Sequence, residues 1–174
     1  LNVGSHTLSL DEWTTIMSEV HSYYESNESP IPILYGIDAI HGVNYTIGGT
    51  LFPQEIGLAA TWNEELANKF GHITAYETKA SGIPWNFSPV LDIARQPLWS
   101  RFFETLGEDP YLAKKLGKSI VDGYQGEGEM DAYHTAACLK HFVGYSVPFS
   151  GRDRTPAWIP EKFMQEIFLV SFKE

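Results

Sequence analysis

Short apolar runs alternate along this chain with amphipathic helical stretches, and the links between successive runs are too long for hairpins. Strands joined by helical crossovers lie parallel in one sheet, so the alternation restricts the chain to an α/β architecture. The apolar runs are residues 33–37, 84–93 and 136–144, the second made irregular by Pro84 and Pro89. Residues 1–5 read as the tail of a further strand, 26–32 as a polar loop and 42–57 as a glycine-bearing loop.

Four helices are predicted between and after the strands. Ser9 and Glu12 frame a helix start whose apolar stripe is Trp13, Ile16, Val20 and Tyr23 or Tyr24. Thr61 or Asn63 opens the second, with Leu66, Phe70, Ile73, Tyr76 and Ala80 on its apolar face and Gly82 as its stop. Asp109 followed by Pro110 opens the third, with Leu112, Leu116, Ile120 and Tyr124 on one side. The fourth begins at Pro160 and turns Phe163, Ile167 and Val170 inward. A doubly wound open sheet and a (β/α)8 barrel both satisfy this order, and both bind ligands at the carboxyl ends of their strands. No G-x-G-x-x-G follows any strand, which weakens a dinucleotide-binding reading.

The 174 residues have the length of one domain, and 43% hydrophobic content with 14% aromatic is enough for a real core. Twelve basic residues against twenty-two acidic ones give a net charge of −10, which argues against nucleic acid as a partner. No apolar run approaches the roughly 20 residues that span a bilayer, so no membrane partner is expected. The single cysteine, Cys138, excludes an internal disulfide and reads as an inert buried thiol. The chain starts on Leu1 rather than Met and stops at Glu174 inside a helical pattern. Both ends therefore read as cut, and a missing targeting segment says nothing of compartment. Asn27, Asn44 and Asn86 fit the glycosylation sequon, but such triplets arise often by chance and Asn86 reads as buried.

The charged residues at the strand ends carry the functional signal. The first strand delivers Asp38 (and His41), the second delivers Arg101 through its loop, and the third ends on Lys140 and His141. Singly, each has an ordinary structural explanation: a turn cap for Asp38, a bridge to Glu104 or Glu108 for Arg101, a satisfied core residue for His141. Converging on one rim, they pair an acceptor of hydroxyl hydrogen bonds with obligate donors, and each charge offsets the burial cost of the others. The set suits a neutral ligand dense in hydroxyls, such as a sugar ring, and Trp62, Trp85 and Trp99 are near enough in sequence to offer a stacking face. Neighbouring residues of a regular strand point to opposite faces. For Lys140 and His141 to share a ligand the backbone must leave regular β geometry there, through a bulge or an unusual peptide. No cluster has metal-ligand spacing, so neither metal nor cofactor is expected.

Five blocks in order resemble glycoside hydrolase family 3: Tyr35-Gly36-Ile37-Asp38-Ala39-Ile40-His41-Gly42, Phe87-Ser88-Pro89-Val90-Leu91-Asp92, Trp99-Ser100-Arg101-Phe102-Phe103-Glu104, Gly107-Glu108-Asp109-Pro110 and Leu139-Lys140-His141-Phe142-Val143-Gly144. Arg152-Asp153-Arg154-Thr155-Pro156 occurs in some members at the corresponding place. The resemblance implies a TIM-like (β/α)8 barrel and a retaining exo-glycosidase that works through a covalent glycosyl-enzyme, most often on β-D-glucosides or β-xylosides. It implies that Asp38, Arg101, Lys140 and His141 hold the non-reducing-end sugar, and it favours a secreted or periplasmic protein. Some members carry glycine and aspartate after K-H-F-x-G where this chain has Tyr145 and Ser146, a subgroup difference. No histidine follows His141, which makes the activity of the N-acetylglucosamine-specific members unexpected here.

What the family pattern needs and the chain lacks is a nucleophilic carboxylate and an acid/base partner, which in a retaining glycosidase stand about 5 Å apart. No Ser-Asp-Trp segment is present. Residues 1–174 are therefore expected to be a partial N-terminal barrel domain, about half the strands, with sugar-binding elements but no catalytic residue and no turnover alone. The alternatives are a non-catalytic carbohydrate-binding or scaffold protein on the same fold, and a β-xylosidase or sugar phosphorylase relative. The expected partner is a small carbohydrate.

Overall fold

The structure is a computed structural model that describes residues 6–26, 31–128 and 131–173. The tail proposed for residues 1–5 and the sequon at Asn27 lie outside the described residues. The first helix, α1 (Leu10–Glu25), starts where its capping residues dictate. Ser9 Oγ accepts from Glu12 N, and the Glu12 carboxylate accepts from Ser9 N at 2.7 Å, so two otherwise unpaired backbone N–H groups are satisfied reciprocally. Only Trp13 and Met17 are buried on α1, and Tyr23 of the expected stripe is mostly exposed.

Three parallel strands, β1 (Gly36–Ile37), β2 (Trp85–Asn86) and β3 (Ala136–Ala137), form a sheet in the order β1-β2-β3. Gly36 pairs with Trp85 and Trp85 with Ala136, so the three carboxyl ends are level. Parallel pairing continues past the formal strands: Cys138 N donates to Ser88 O, Lys140 N to Pro89 O, and Leu91 N to Lys140 O. The first strand is shorter than the apolar run suggested, because Ile33 and Leu34 are exposed and unladdered. Ser88–Pro89, in the proline-bearing second strand, is a cis peptide.

The connections are helical. A short helix, α2 (Glu55–Ala59), begins inside the stretch expected to be loop, and α3 (Glu64–Ala80) follows, capped by Asn63, whose side chain accepts from Leu66 N. Asp109 caps α4 (Pro110–Gln125) by accepting from Leu112 N at 2.8 Å. Helices α3 and α4 meet through small residues: a Cβ on Gly71 would sit 2.4 Å from Ile120 O, and one on Gly123 would sit 2.2 Å from Asn68 O. This close approach corrects the expected face of α3 except at Phe70, which is buried as expected. The buried side is Ala67, Phe70, Gly71, Thr74, Ala75 and Thr78, while Leu66, Ile73 and Tyr76 are exposed. Beyond Pro160 the chain forms α5 (Glu161–Phe163), a π turn (Met164–Phe168) and a 3₁₀ turn (Val170–Phe172). The wider π turn alters the register, so that Phe168 and Ser171, not Phe163, face inward.

Two apolar clusters result. One joins α3, α4 and the chain after β2 through Phe70, Leu91, Ile93, Leu106, Leu116, Ile120 and Tyr124. The other seats α1 on β1 through Trp13, Ile37, Ala39, Val43 and Ile83. Both leave the carboxyl ends of the strands uncovered for the polar residues described next.

Candidate active site

Asp38, Arg101, Lys140 and His141 line one open cavity of about 570 Å³ at those carboxyl ends. Asp38 leaves β1 directly, and Lys140 and His141 follow β3. Arg101 precedes a 3₁₀ turn (Phe102–Glu104) in the loop after β2. The Lys140–His141 peptide is cis, and both side chains line the cavity. His41 does not join them, its Nδ1 lying 3.1 Å from Phe52 O.

The charges are paired. Lys140 Nζ donates to Asp38 Oδ1 at 2.6 Å. Arg101 grips Glu104 with two parallel bonds, Nε to Oε1 at 2.8 Å and Nη2 to Oε2 at 2.6 Å. That bidentate contact first, and then the hydroxyl of Tyr145, push the guanidinium pKa further up, so Arg101 is a permanent cation. His141 is fixed from below: Asp92, which is buried, accepts through Oδ2 from His141 N at 3.0 Å and from Nδ1 at 2.7 Å.

The tautomer follows from these contacts. Arg101 Nη2 stands 3.3 Å from His141 Nε2, and a guanidinium has no acceptor. Nε2 must therefore accept, and the ring proton sits on Nδ1, where Asp92 receives it. The orientation of His141 is thus set by Asp92 beneath and Arg101 beside.

Tyr145 stands behind the cavity lining, against Arg101 and His141. Its hydroxyl accepts from Arg101 Nη1 at 3.3 Å and donates to Asp153 Oδ1 at 2.6 Å, and its ring meets His141 edge-on at 4.7 Å. Trp99 Nε1 donates to the same Asp153 oxygen at 2.8 Å. These two donors hold the Asp153 carboxyl below the usual carboxylate range. Of the tryptophans expected to stack on a ligand, none lines the cavity: Trp99 is buried against Tyr145 and Trp62 is exposed elsewhere. The aromatic lining is Tyr45 and Phe87. Cys138, expected to be buried, is half-buried and also lines the cavity.

Asp38, Glu104 and Asp153 face Arg101, Lys140 and Arg154, three carboxylates against three cations. A cavity so balanced offers donors and acceptors without a net charge to attract an ion. Among the described residues no group of three or more His, Cys, Asp or Glu is placed to hold a metal.

The profile of the glycosyl hydrolase family 3 N-terminal domain matches residues 1–174. The chain belongs to glycosyl hydrolase family 3. A lysosomal beta glucosidase of Dictyostelium discoideum is 45% identical over 175 residues, covering 97% of this chain and 21% of that protein. A beta-xylosidase of Formosa agariphila is 35% identical, covering 82% of this chain and 21% of its own length. The solved exo-1,3/1,4-beta-glucanase of a Pseudoalteromonas species superposes with a TM-score of 0.89 at 33% identity, over 95% of this chain and 21% of that one. This chain therefore spans about a fifth of the length of these relatives, and its parallel sheet with helical crossovers is part of the family's TIM-barrel-like fold.

Within this family 3 domain, sequence reasoning did not single out Asp92, Tyr145, Asp153 or Glu55 as functional. Glu55 on α2 is wholly buried behind the cavity, and both its oxygens accept from Val90 N at 3.2 Å while Oε1 also accepts from Ser88 Oγ. Burial pushes its pKa up to about 8. Val90 is the residue bridged to Lys140, so Glu55 braces the strand that positions the lysine. Asp92 closes the Phe87–Asp92 block, a signal that marked its importance without giving its role.

Proposed function

We propose that this chain supplies the sugar-holding wall of a retaining glycoside hydrolase acting on terminal, non-reducing β-linked sugars, β-D-glucosides first. What supports it is the charge-balanced cavity in which Asp38, Arg101, Lys140 and His141 converge. A pyranose ring presents hydroxyls that donate and accept, and here Asp38 accepts while Lys140 and Arg101 donate from positions already fixed by ion pairs. Pre-formed partners bind the ring without the cost of ordering flexible side chains. Contacts that strengthen as charge develops on the sugar would raise kcat as well as affinity.

The nucleophilic aspartate and the acid/base belong, in this reading, to protein beyond residues 1–174, in the remaining barrel strands and a second domain. Substrate enters as a small neutral carbohydrate, and delivery to a secreted or periplasm-like compartment is part of the proposal. The Dictyostelium relative is named as lysosomal. The name of the Formosa relative favours β-xylosides as the second candidate substrate. The test compares hydrolysis of an aryl β-glucoside by the intact protein and by residues 1–174 alone. Turnover is expected from the first and none from the second. Enzyme-like turnover by the 174 residues, or none by the intact protein on either glucoside or xyloside, would refute the proposal.

A further inference from the structure

The segment after β3 forms a self-closed turn. Phe149 N donates to Pro156 O, Arg152 N to Ser150 Oγ, and Thr155 Oγ1 to Arg152 O. Arg152 and Arg154 at its tip are exposed, and Arg154 holds φ at 58°, a left-handed conformation uncommon outside glycine. Such a turn has to be fastened if its residues are to form part of a cavity wall, and Asp153 is the residue of the turn that reaches inward. Its Oδ1 takes two hydrogen bonds from different elements, Trp99 Nε1 and Tyr145 Oη, while Oδ2 lies 3.7 Å from its neighbour Arg154. The Tyr145 hydroxyl that donates to Asp153 is the one that accepts from Arg101, and the same ring buttresses His141 and Trp99.

We infer that Tyr145 and Asp153 are positioning residues: together they tie the 145–156 turn to the cavity wall and fix the orientation of Arg101 for the sugar. The inference rests on the reading of the cavity as a sugar site. Its geometry is a chain of contacts running from the turn to the ligand-facing cation. Glu104 grips Arg101 on one side with Nε and Nη2, leaving Nη1 as the group that Tyr145 holds. Removing the tyrosine hydroxyl loosens the turn, which is then held to the wall by Trp99 Nε1 alone, and frees that nitrogen, while the ring contacts with His141 and Trp99 persist. Removing the Asp153 carboxylate frees the turn and leaves the hydroxyl of Tyr145 without its acceptor.

Two measurements on the intact protein separate this role from a merely structural one. The first is limited trypsin digestion with mapping of the cut ends. Tyr145→Phe, which removes one charge-assisted bond to Asp153, should raise cleavage after Arg152 and Arg154 by about tenfold, and Asp153→Ala, which removes that bond and the one from Trp99, by at least as much. Unchanged cleavage in both variants overturns the tie, whatever the catalytic result. The second is a double-mutant cycle on KM for an aryl β-glucoside, or on calorimetric glucose binding. Tyr145→Phe should raise KM about tenfold with kcat within about threefold of wild type. On an Arg101→Lys background the same change should add less than about twofold, since its effect passes through Arg101. A full further tenfold loss there, or no loss in the single variant, overturns the positioning role. Wild-type protein that cuts no glycoside and binds no glucose sinks the sugar-site reading, and the role assigned toward Arg101 falls with it; the tie is then still decided by the digestion.

Discussion

Replacing Asp92 by Asn changes one atom and tests how the site is held from beneath. Asp92 accepts both His141 N and His141 Nδ1 on a single oxygen, at 3.0 and 2.7 Å, from a buried position. An amide oxygen can take the same two bonds but without the charge, and charged acceptors give bonds roughly twice as strong as neutral ones. The change costs about 1 kcal/mol for each bond. The amide nitrogen then occupies the place of Oδ1, a buried oxygen that has no hydrogen-bond partner. A buried donor left unmatched costs a further ~1–2 kcal/mol, partly offset because a neutral side chain is cheaper to bury than a carboxylate. The sum is about 3 kcal/mol. With a urea slope of about 2 kcal/mol per molar, the unfolding midpoint should fall by about 1.5 M at unchanged slope. Tryptophan fluorescence gives the assay, and the same variant should bind glucose more weakly because His141 is no longer oriented. A midpoint within about 0.3 M of wild type, with binding intact, would refute the claim that Asp92 anchors His141.

Three further outcomes follow from other parts of the structure. Asp38→Ala removes the Lys140 partner and a hydroxyl acceptor together, and kcat/KM of the intact protein should drop by a factor of about 100, equivalent to about 3 kcal/mol; near-unchanged kinetics would remove Asp38 from the site. Glu55, raised to about 8 by burial, keeps its proton in the folded state over a range where the unfolded chain, near 4.5, has lost it. The folded state therefore binds more protons there, and stability from this group falls as pH rises from about 4.5 to about 8, by up to ~1.4 kcal/mol per unit. Glu55→Gln should flatten that decline between about pH 5.5 and 7.5, and parallel declines in the two proteins would contradict the buried-acid assignment. Gly71→Ala would drive a methyl group to 2.4 Å from Ile120 O and should cost about 2 kcal/mol in thermal or urea unfolding, by forcing α3 away from α4.

Features written in consecutive residues were legible before any coordinates. Ser9, Asn63 and Asp109 each cap the helix that their spacing predicts, because capping involves bonds across only three residues. The parallel order of the strands followed from crossover length, and level strand ends brought Asp38, Arg101, Lys140 and His141 to one cavity. What stayed hidden depends on partners distant in the chain. On α3 Phe70 is buried as expected, but Leu66, Ile73 and Tyr76 are not, because the close contact with α4 turns small residues such as Ala67, Gly71 and Ala75 inward. Tyr145 looked like a mere departure from the family pattern until its hydroxyl was seen between Arg101 and Asp153, 44 residues away in one direction and 8 in the other. Glu55 sat in a stretch read as loop, and nothing local signals that a carboxyl group there is sealed against Val90, 35 residues on. The tryptophans were misplaced for a related reason: Trp99 spends its N–H on Asp153 and its ring on Tyr145, leaving the cavity lining to Tyr45 and Phe87.

A diffraction experiment on crystals of the intact protein soaked in glucose addresses the sugar-holding claim most directly. One ring is expected in the cavity, with hydroxyls within about 2.6–3.2 Å of Asp38 Oδ, Lys140 Nζ and Arg101 Nη atoms and against His141. Glucose bound at another surface, or a ring in this cavity that touches none of the four side chains, would contradict it.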